Sequence, residues 1–391
     1  MAGKYNKELV LISGVNLTEG GPLSILKGAA NNFVEHFISE YRLVLLVNNK
    51  NLLDDICFDS RVEILEYAYP KKSWFLRLWF EYVHCWLISK KIKPDVWIAL
   101  HDMTPNVQCK KRIVYCHNPT PFYKLSLQEI LIERPLLFFT FFYSFFYRIN
   151  IRKNKFVIVQ QQWMREEFEH RYKAKNIIVS YPDVQIQSSN NAYRKCSGIK
   201  FRFFYPSLPR AFKNFEVLLA ASEILAKENN NFEVILTFDG SENKYASLIK
   251  KKYAHLSCVK FAGLQKRDEM ENLYNTAACV VFASKMETWG LPITEAKIFR
   301  KPMLVADLKY AHETVGDYDK ACFFDINDPV ALAALMGKAM NGTLEYHSPA
   351  YIVPPQPFVK SWKELFELVL AGKASHTDKK FGQQFLKMHE E

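Results

Sequence analysis

A rhythm restricts this chain more than any single motif. Short, almost uniformly apolar runs alternate with longer amphipathic ones: ELVLISG, then the glycine-led TEGGPLSILKGAANNFVEHF, then YRLVLLVNN. An apolar run without polar alternation suits a strand covered on both faces. A helix-length connection between such strands builds a parallel sheet. PDVWIAL, KRIVYCHN and KFVIVQQ continue the strands. A polar stretch at 182–200, PDVQIQSSNNAYRKCSGIK, breaks the rhythm and reads as a linker. Beyond it FRFFYPS, FEVILTFDG, CVKFAG, CVVFAS, PMLVAD and CFFD read as strands, and NFEVLLAASEILAKE, KYASLIKKKYA and RDEMENLYNTA as helices between them. The expected fold class is α/β: two doubly wound, Rossmann-like domains facing a cleft. The N-terminal domain covers 1–190, the C-terminal domain 199–355, and a closing helix and tail 356–391. In such sheets ligands gather beyond the carboxyl ends of the strands and between domains.

The chain of 391 residues is long enough for two or three domains, and 49% hydrophobic with 24% charged residues is a globular composition. The net charge of +11 is uneven. Residues 1–198 hold 27 Lys and Arg against 18 Asp and Glu, the remainder 25 against 23. A basic half suits an anionic partner (nucleic acid, an anionic membrane, a phosphorylated substrate) or a merely solvated surface. No nucleic-acid motif accompanies the charge, so no nucleic-acid partner is expected. The eight cysteines form no C-x-x-C pair and sit mostly in apolar surroundings, as small core residues of a reducing compartment do. The start, MAGKYNKELVLISG, has no long apolar segment, and the greasiest run, PLLFFTFFYSFFY at 135–147, falls short of the ~18 residues a membrane span needs. A cytoplasmic, non-spanning protein is expected.

The chemistry concentrates in SKMETWGLPITEAK, 284–297. Glu287 and Glu295 are eight apart, which is not a spacing that one helical face repeats. CVVFAS is the strand, KMETWGL the loop leaving it, and Pro292 suits the first position of the next helix. Both acids then converge on the mouth of a strand–loop–helix unit. The unpaired amides of a helix start, with the helix dipole behind them, bind phosphate, and Gly290 allows close approach of backbone. Carboxylates on that phosphate would repel it. They fit hydroxyls on either side of a diphosphate, and a nucleotide sugar has a ribose on one side and a hexose on the other.

E-x7-E within ETWGLPITEA closely resembles the signature of retaining GT-B glycosyltransferases of family 4, whose donor domain is called glycosyl transferases group 1. The resemblance implies that Glu287 contacts the donor sugar and Glu295 the ribose, with Trp289, Gly290 and Leu291 also at the donor. FYPSLPRAFKNFEVLLAA resembles the first strand–loop–helix of that domain, where a Gly-Arg pair and a later lysine hold the diphosphate. Lys213 matches the lysine. Pro206-Ser207 stands in place of Gly-Arg, with Arg210 as the candidate substitute. Gly20-Gly21 resembles the family's glycine loop, placing Gly21 at donor and acceptor. VYCHNPTPFY resembles the segment carrying the family's cleft histidine, here His117. His101, in ALHDMTPNV, also leaves a strand end. The closing helices DPVALAALMGKAM and FVKSWKELFELVL resemble the family's, the last of which commonly crosses back to the N-terminal domain.

The resemblance thus implies a retaining hexosyltransferase that needs no metal or other cofactor. Its donor would be a nucleotide diphosphate sugar, its acceptor a glycan or a lipid-diphosphate-linked glycan, and its setting surface polysaccharide or lipopolysaccharide assembly. Asp317-Tyr-Asp319 matches a D-x-D metal motif of a different glycosyltransferase fold and is read as a surface turn. Two aromatic, basic segments, 71–94 and 135–155, fit either an anionic membrane surface or helices packed face-down on the sheet. The rivals are a glycan-binding relative without turnover, hinted at by the missing Gly-Arg, and a basic nucleic-acid-binding protein.

Overall fold

The computed structural model describes residues 7–58, 61–183, 200–346 and 353–371. The polar stretch read as a linker falls almost entirely, at 184–199, outside them. The described residues form two parallel sheets. The first seven strands are β1 (Leu9–Ser13), β2 (Arg42–Val47), β3 (Val62–Glu66), β4 (Val96–Ala99), β5 (Lys111–Cys116), β6 (Phe156–Val159) and β7 (Ile177–Ser180). The next six are β8 (Phe201–Tyr205), β9 (Phe232–Leu236), β10 (Val259–Phe261), β11 (Cys279–Phe282), β12 (Met303–Ala306) and β13 (Ala321–Phe324), and β14 (Phe358–Val359) closes the series.

The N-terminal sheet runs β14-β7-β6-β5-β4-β1-β2-β3 and the C-terminal sheet β10-β9-β8-β11-β12-β13. In each, the chain winds outward from the first strand, then returns past it and winds the other way. The order reverses between β1 and β4 in one sheet and between β8 and β11 in the other. At such a reversal neighbouring loops diverge and leave a crevice beyond the carboxyl ends of the strands.

Burial follows the pleat. Val10 and Ile12 join a core with Phe33 and Phe366, while Leu9 and Leu11 join one on the opposite face with Phe80 and Tyr147. The C-terminal domain has its own cluster, with Phe203, Phe215 and Val281 among its fully buried members. Most of the cysteines are buried and free, as expected of core residues.

Three strands escaped the sequence reading for physical reasons. β3 is a partly exposed edge strand with mixed polarity, β7 is a short run directly before the polar stretch at 182–200, and β14 is two residues long. The last docks the chain end onto the first domain: the amides of Val179 and Tyr181 donate to the carbonyls of Pro357 and Val359 at 3.1 Å each. Helix Trp362–Leu370 then packs on helix Gly20–His36, with the Phe366 ring 5.3 Å from Phe33, and Trp362 stacks on Tyr115 at 5.6 Å. A Cβ on Gly28 would meet the Trp362 indole nitrogen at 2.7 Å, so the two helices approach as closely as glycine permits.

The segment 71–94 is not one regular helix. Helices Trp74–Trp79 and Cys85–Ile92 are joined through a π-helical turn, Phe80–His84. The inserted residue rotates the downstream helix relative to the first, burying Phe80 and Glu81 and leaving Trp74, Phe75 and Trp79 exposed. Among the described residues no helix is long and apolar enough to cross a membrane.

Candidate functional site: a cleft between two topological switch points

The loops leaving β8 and β11 flank the reversal in the C-terminal sheet. Gly290, at φ +82°, caps helix Leu291–Ile298. A Cβ there would lie 3.2 Å from a Phe282 ring carbon and 3.3 Å from the Ile293 side chain, so glycine is required by conformation and by space. The helix begins at Leu291, one residue ahead of the start expected at Pro292, which takes the second position. The Leu291 amide has no partner four residues back within the helix, and Pro292 has no N–H.

Lys213 ends the short turn Ala211–Lys213 after β8, where its carbonyl accepts from the Tyr205 hydroxyl at 2.5 Å. Its ammonium pairs with the Glu287 carboxylate across the switch point. Both side chains are largely covered, 15% and 16% exposed. Glu295 accepts from the Tyr274 hydroxyl at 2.6 Å, and a guanidinium nitrogen of Arg267 lies 3.9 Å away. Burial pushes the Glu295 carboxyl above its usual range, against the pull of Tyr274 and Arg267.

These groups line one interdomain cavity of about 480 Å³. Lys213, Arg267, Glu287, Trp289, Gly290, Leu291 and Glu295 face it from the C-terminal domain, and Gly21, Tyr115 and His117 from the N-terminal domain, with Trp362 of the returning helix. A Cβ on Gly21 would come within 3.5 Å of Leu291, so the two domains' loops nearly touch here. Trp289 is buried: its indole N–H donates to Thr294 at 2.8 Å and its ring lies 4.4 Å from Tyr181. Arg210 is placed apart from the other expected site residues. It does not line the cavity, and its Nε binds Glu133 of the facing domain at 2.7 Å. Arg267 is the cavity-lining arginine, and sequence reasoning missed it. It opens a helix of ordinary polar composition, which marks it no differently from a surface residue.

The N-terminal side has its own polar machinery. Asp102 lies just beyond β4 with φ +72°, a conformation a non-glycine residue rarely adopts. One oxygen, Oδ1, accepts from the amides of His117 and Asn118 at 2.7 and 3.0 Å and from the Tyr147 hydroxyl at 3.0 Å. The loop after β5 is therefore hung on Asp102, and the His117 ring nitrogen Nδ1 stands 3.9 Å from the same oxygen. His101 is fully buried, with Nε2 3.2 Å from Ser13 Oγ and Nδ1 3.2 Å from Glu81 Oε1. Burial lowers the His101 pKa and raises that of Glu81, each toward its neutral form. Arg77 donates to the Tyr143 hydroxyl at 2.9 Å and to the His101 carbonyl at 3.2 Å. A second cavity of about 320 Å³ is lined by Arg77, His101, Asp102, His117, Asn118 and Tyr143, and it shares Pro22 and His117 with the first. Sequence reasoning missed Asp102, although its place beside His101 at a strand end was a signal that could have found it. Glu81, buried within the π turn, offered no such signal.

Asp317 and Asp319 lie between helix Lys309–Val315 and β13, and among the described residues no cluster of His, Cys, Asp and Glu is arranged to hold a metal ion. The domains also meet through polar contacts: Lys285 pairs with Glu129 at 3.1 Å, and the Gln162 amide donates to the Glu313 carboxyl, 3.0 Å from each oxygen.

Residues 190–352 match the model of the family described as glycosyl transferases group 1. No curated protein matches the chain. Among solved structures, a glycosyltransferase from Rickettsia africae superposes with a TM-score of 0.62 at 18% identity, covering 86% of this chain and 89% of its own. Sucrose-phosphate synthase of Thermosynechococcus elongatus gives 0.65 at 13%, covering 86% and 90%. Anabaena Alr3699/HepE, solved in complex with UDP, gives 0.57 at 15% and covers 98% and 99%. At these identities the likeness shows the fold, which is GT-B.

Proposed function

We propose that the protein is a glycosyltransferase that takes a hexose from a nucleotide diphosphate sugar and retains its anomeric configuration. The observation that carries this reading is the meeting of Glu287, Glu295, Lys213 and the Gly290–Leu291 helix start on one interdomain cavity. The group 1 match over the same residues supports it.

In the ligand-free cleft Lys213 is neutralised by Glu287. A donor diphosphate, with the higher charge, takes Lys213 and the Leu291 amide, and frees Glu287 to accept from the hexose hydroxyls. Glu295 accepts from the ribose, held by Tyr274. As the sugar–phosphate bond breaks, negative charge grows on the leaving oxygen, and Lys213 with the helix amide stabilises it, so the residues present supply the charge that a metal supplies elsewhere. The acceptor oxygen attacks the same face of the sugar and passes its proton to the departing phosphate oxygen. His117 lines the sugar side, positioned by Asp102. Domain closure over donor and acceptor excludes water. We assign the acceptor to surface polysaccharide or lipopolysaccharide assembly at the inner face of a membrane.

The test is a screen of UDP-, GDP- and dTDP-sugars for a raised melting temperature, followed by a transfer assay with the stabilising donor. Glu287→Ala is expected to abolish transfer while keeping the fold. A fully active Glu287→Ala protein would remove Glu287 from the mechanism, and an unreactive wild type that still binds donor would favour a binding protein.

A further inference from the structure

We propose that Glu129 and Glu133 of the N-terminal domain are positioning residues for the transfer: together they seat the two donor loops of the facing domain, so that one domain sets the other's grip on the donor. This rests on the glycosyltransferase reading and adds residues that act on its donor site from outside.

Glu129 lies in helix Leu127–Ile132, and Glu133 follows the end of that helix, one turn further on. Neither faces the donor cavity. Glu133 holds the loop after β8 by two bonds: Oε1 accepts from Arg210 Nε at 2.7 Å and Oε2 from the Ala211 amide at 3.0 Å. Glu129 holds the loop after β11, with Oε1 3.1 Å from the Lys285 ammonium. The Glu129 carboxylate is itself fixed by the Tyr123 hydroxyl at 2.6 Å and by the Ser126 amide and hydroxyl at 2.9 Å each. Both carboxylates are largely covered, so water screens these contacts less than it screens a surface ion pair.

What the two carboxylates hold gives them a part in the reaction. Ala211 begins the turn that Lys213 ends, and Lys285 stands two residues before Glu287. The loops are also tied to each other: the Lys285 amide donates to the Phe212 carbonyl at 2.7 Å, and the Tyr123 ring meets the Phe212 ring edge-on from the N-terminal side. One N-terminal stretch, 117–133, thus carries His117 on the cavity wall and both carboxylates at its other end. It fixes Lys213 and Glu287 relative to His117. Carboxylates that merely joined the domains could stand anywhere along the seam. These stand one turn apart, and each takes one of the two loops. Arg210 fits the same arrangement: with Pro206-Ser207 in place of Gly-Arg, the arginine of this loop bonds the facing domain and leaves the cavity to Lys213 and Arg267.

UDP, GDP and dTDP are titrated calorimetrically into the full chain, and the nucleotide that binds wild type is carried through the variants. Glu133→Ala is expected to weaken it about tenfold, within the range of coupling between separate sites. Glu133→Gln, which keeps an oxygen for the Ala211 amide, should recover part of that loss. Lys285→Met releases the second loop without disturbing the Ser126 cap and should weaken the nucleotide about fivefold. Leu131→Ala, exposed on the same helix, should bind as wild type does. Melting temperatures are measured alongside. Variants that melt earlier but bind the nucleotide as tightly as wild type would show a role confined to stability and overturn the proposal. If one nucleotide binds wild type, Glu133→Ala and Lys285→Met equally, only the positioning role falls. If none of the three binds wild type, the donor reading falls with it.

Discussion

Gly290 carries two constraints at once, a left-handed backbone and contact with Phe282 and Ile293. Gly290→Ala is expected to cost about 1–3 kcal/mol, read as a lower melting temperature, and to weaken donor binding because the helix start shifts. A variant as stable as wild type would mean the turn is not under strain. Asp102 offers a second residue-level test. Removing its carboxylate strands the His117 and Asn118 amides, while the Tyr147 hydroxyl keeps the Asn118 carbonyl, and each unmet group costs about 1–3 kcal/mol. Asp102→Ala should lose turnover as the His117 loop loosens, and Asp102→Asn, which keeps an oxygen acceptor, should recover much of it. Equal kcat for the two variants would show that Asp102 does not position His117.

At the scale of elements, the seam between the domains has a pH sense. Glu313 sits at the end of helix Lys309–Val315 and accepts the Gln162 amide at the start of helix Gln162–Tyr172. Burial raises its pKa to about 7, above the ordinary carboxyl range. A carboxyl whose folded pKa is raised binds its proton more tightly when folded, so its contribution is full below the unfolded value and falls as pH rises from there through about 7. Between pH 5 and 7, Glu313→Gln should therefore show a flatter melting-temperature profile than wild type. Parallel profiles would remove Glu313 as the source. Elements also divide what sequence could disclose. Strands buried on both faces, such as β1 and β11, announced themselves by unbroken apolar runs, and E-x7-E with Gly290 and Pro292 marked the loop and helix start after β11 that face the cavity. β3 mixes polar residues into an exposed edge and β14 is two residues long, so neither stood out. The π turn Phe80–His84 places Phe80 in the core it shares with Trp97 of β4 and Val114 of β5, and Glu81 beside His101, an arrangement no sequence periodicity announces. Arg210 was legible as a cation near Lys213, but pairing with Glu133 across the domains decides where it points.

For the whole molecule, the two sheets reverse their winding at β1/β4 and β8/β11, and the loops from both reversals face a shared cavity. β14 and helix Trp362–Leu370 return the chain end to the first domain and place Trp362 on the cavity wall. The central claim is that this cavity grips a nucleoside diphosphate. Calorimetric titration with UDP, GDP and dTDP, on wild type and on Lys213→Ala, tests it most directly. One nucleotide is expected to bind wild type, and Lys213→Ala to weaken it about 10- to 100-fold, the worth of one charge-assisted contact. No binding to wild type, or equal binding by both proteins, would contradict the claim.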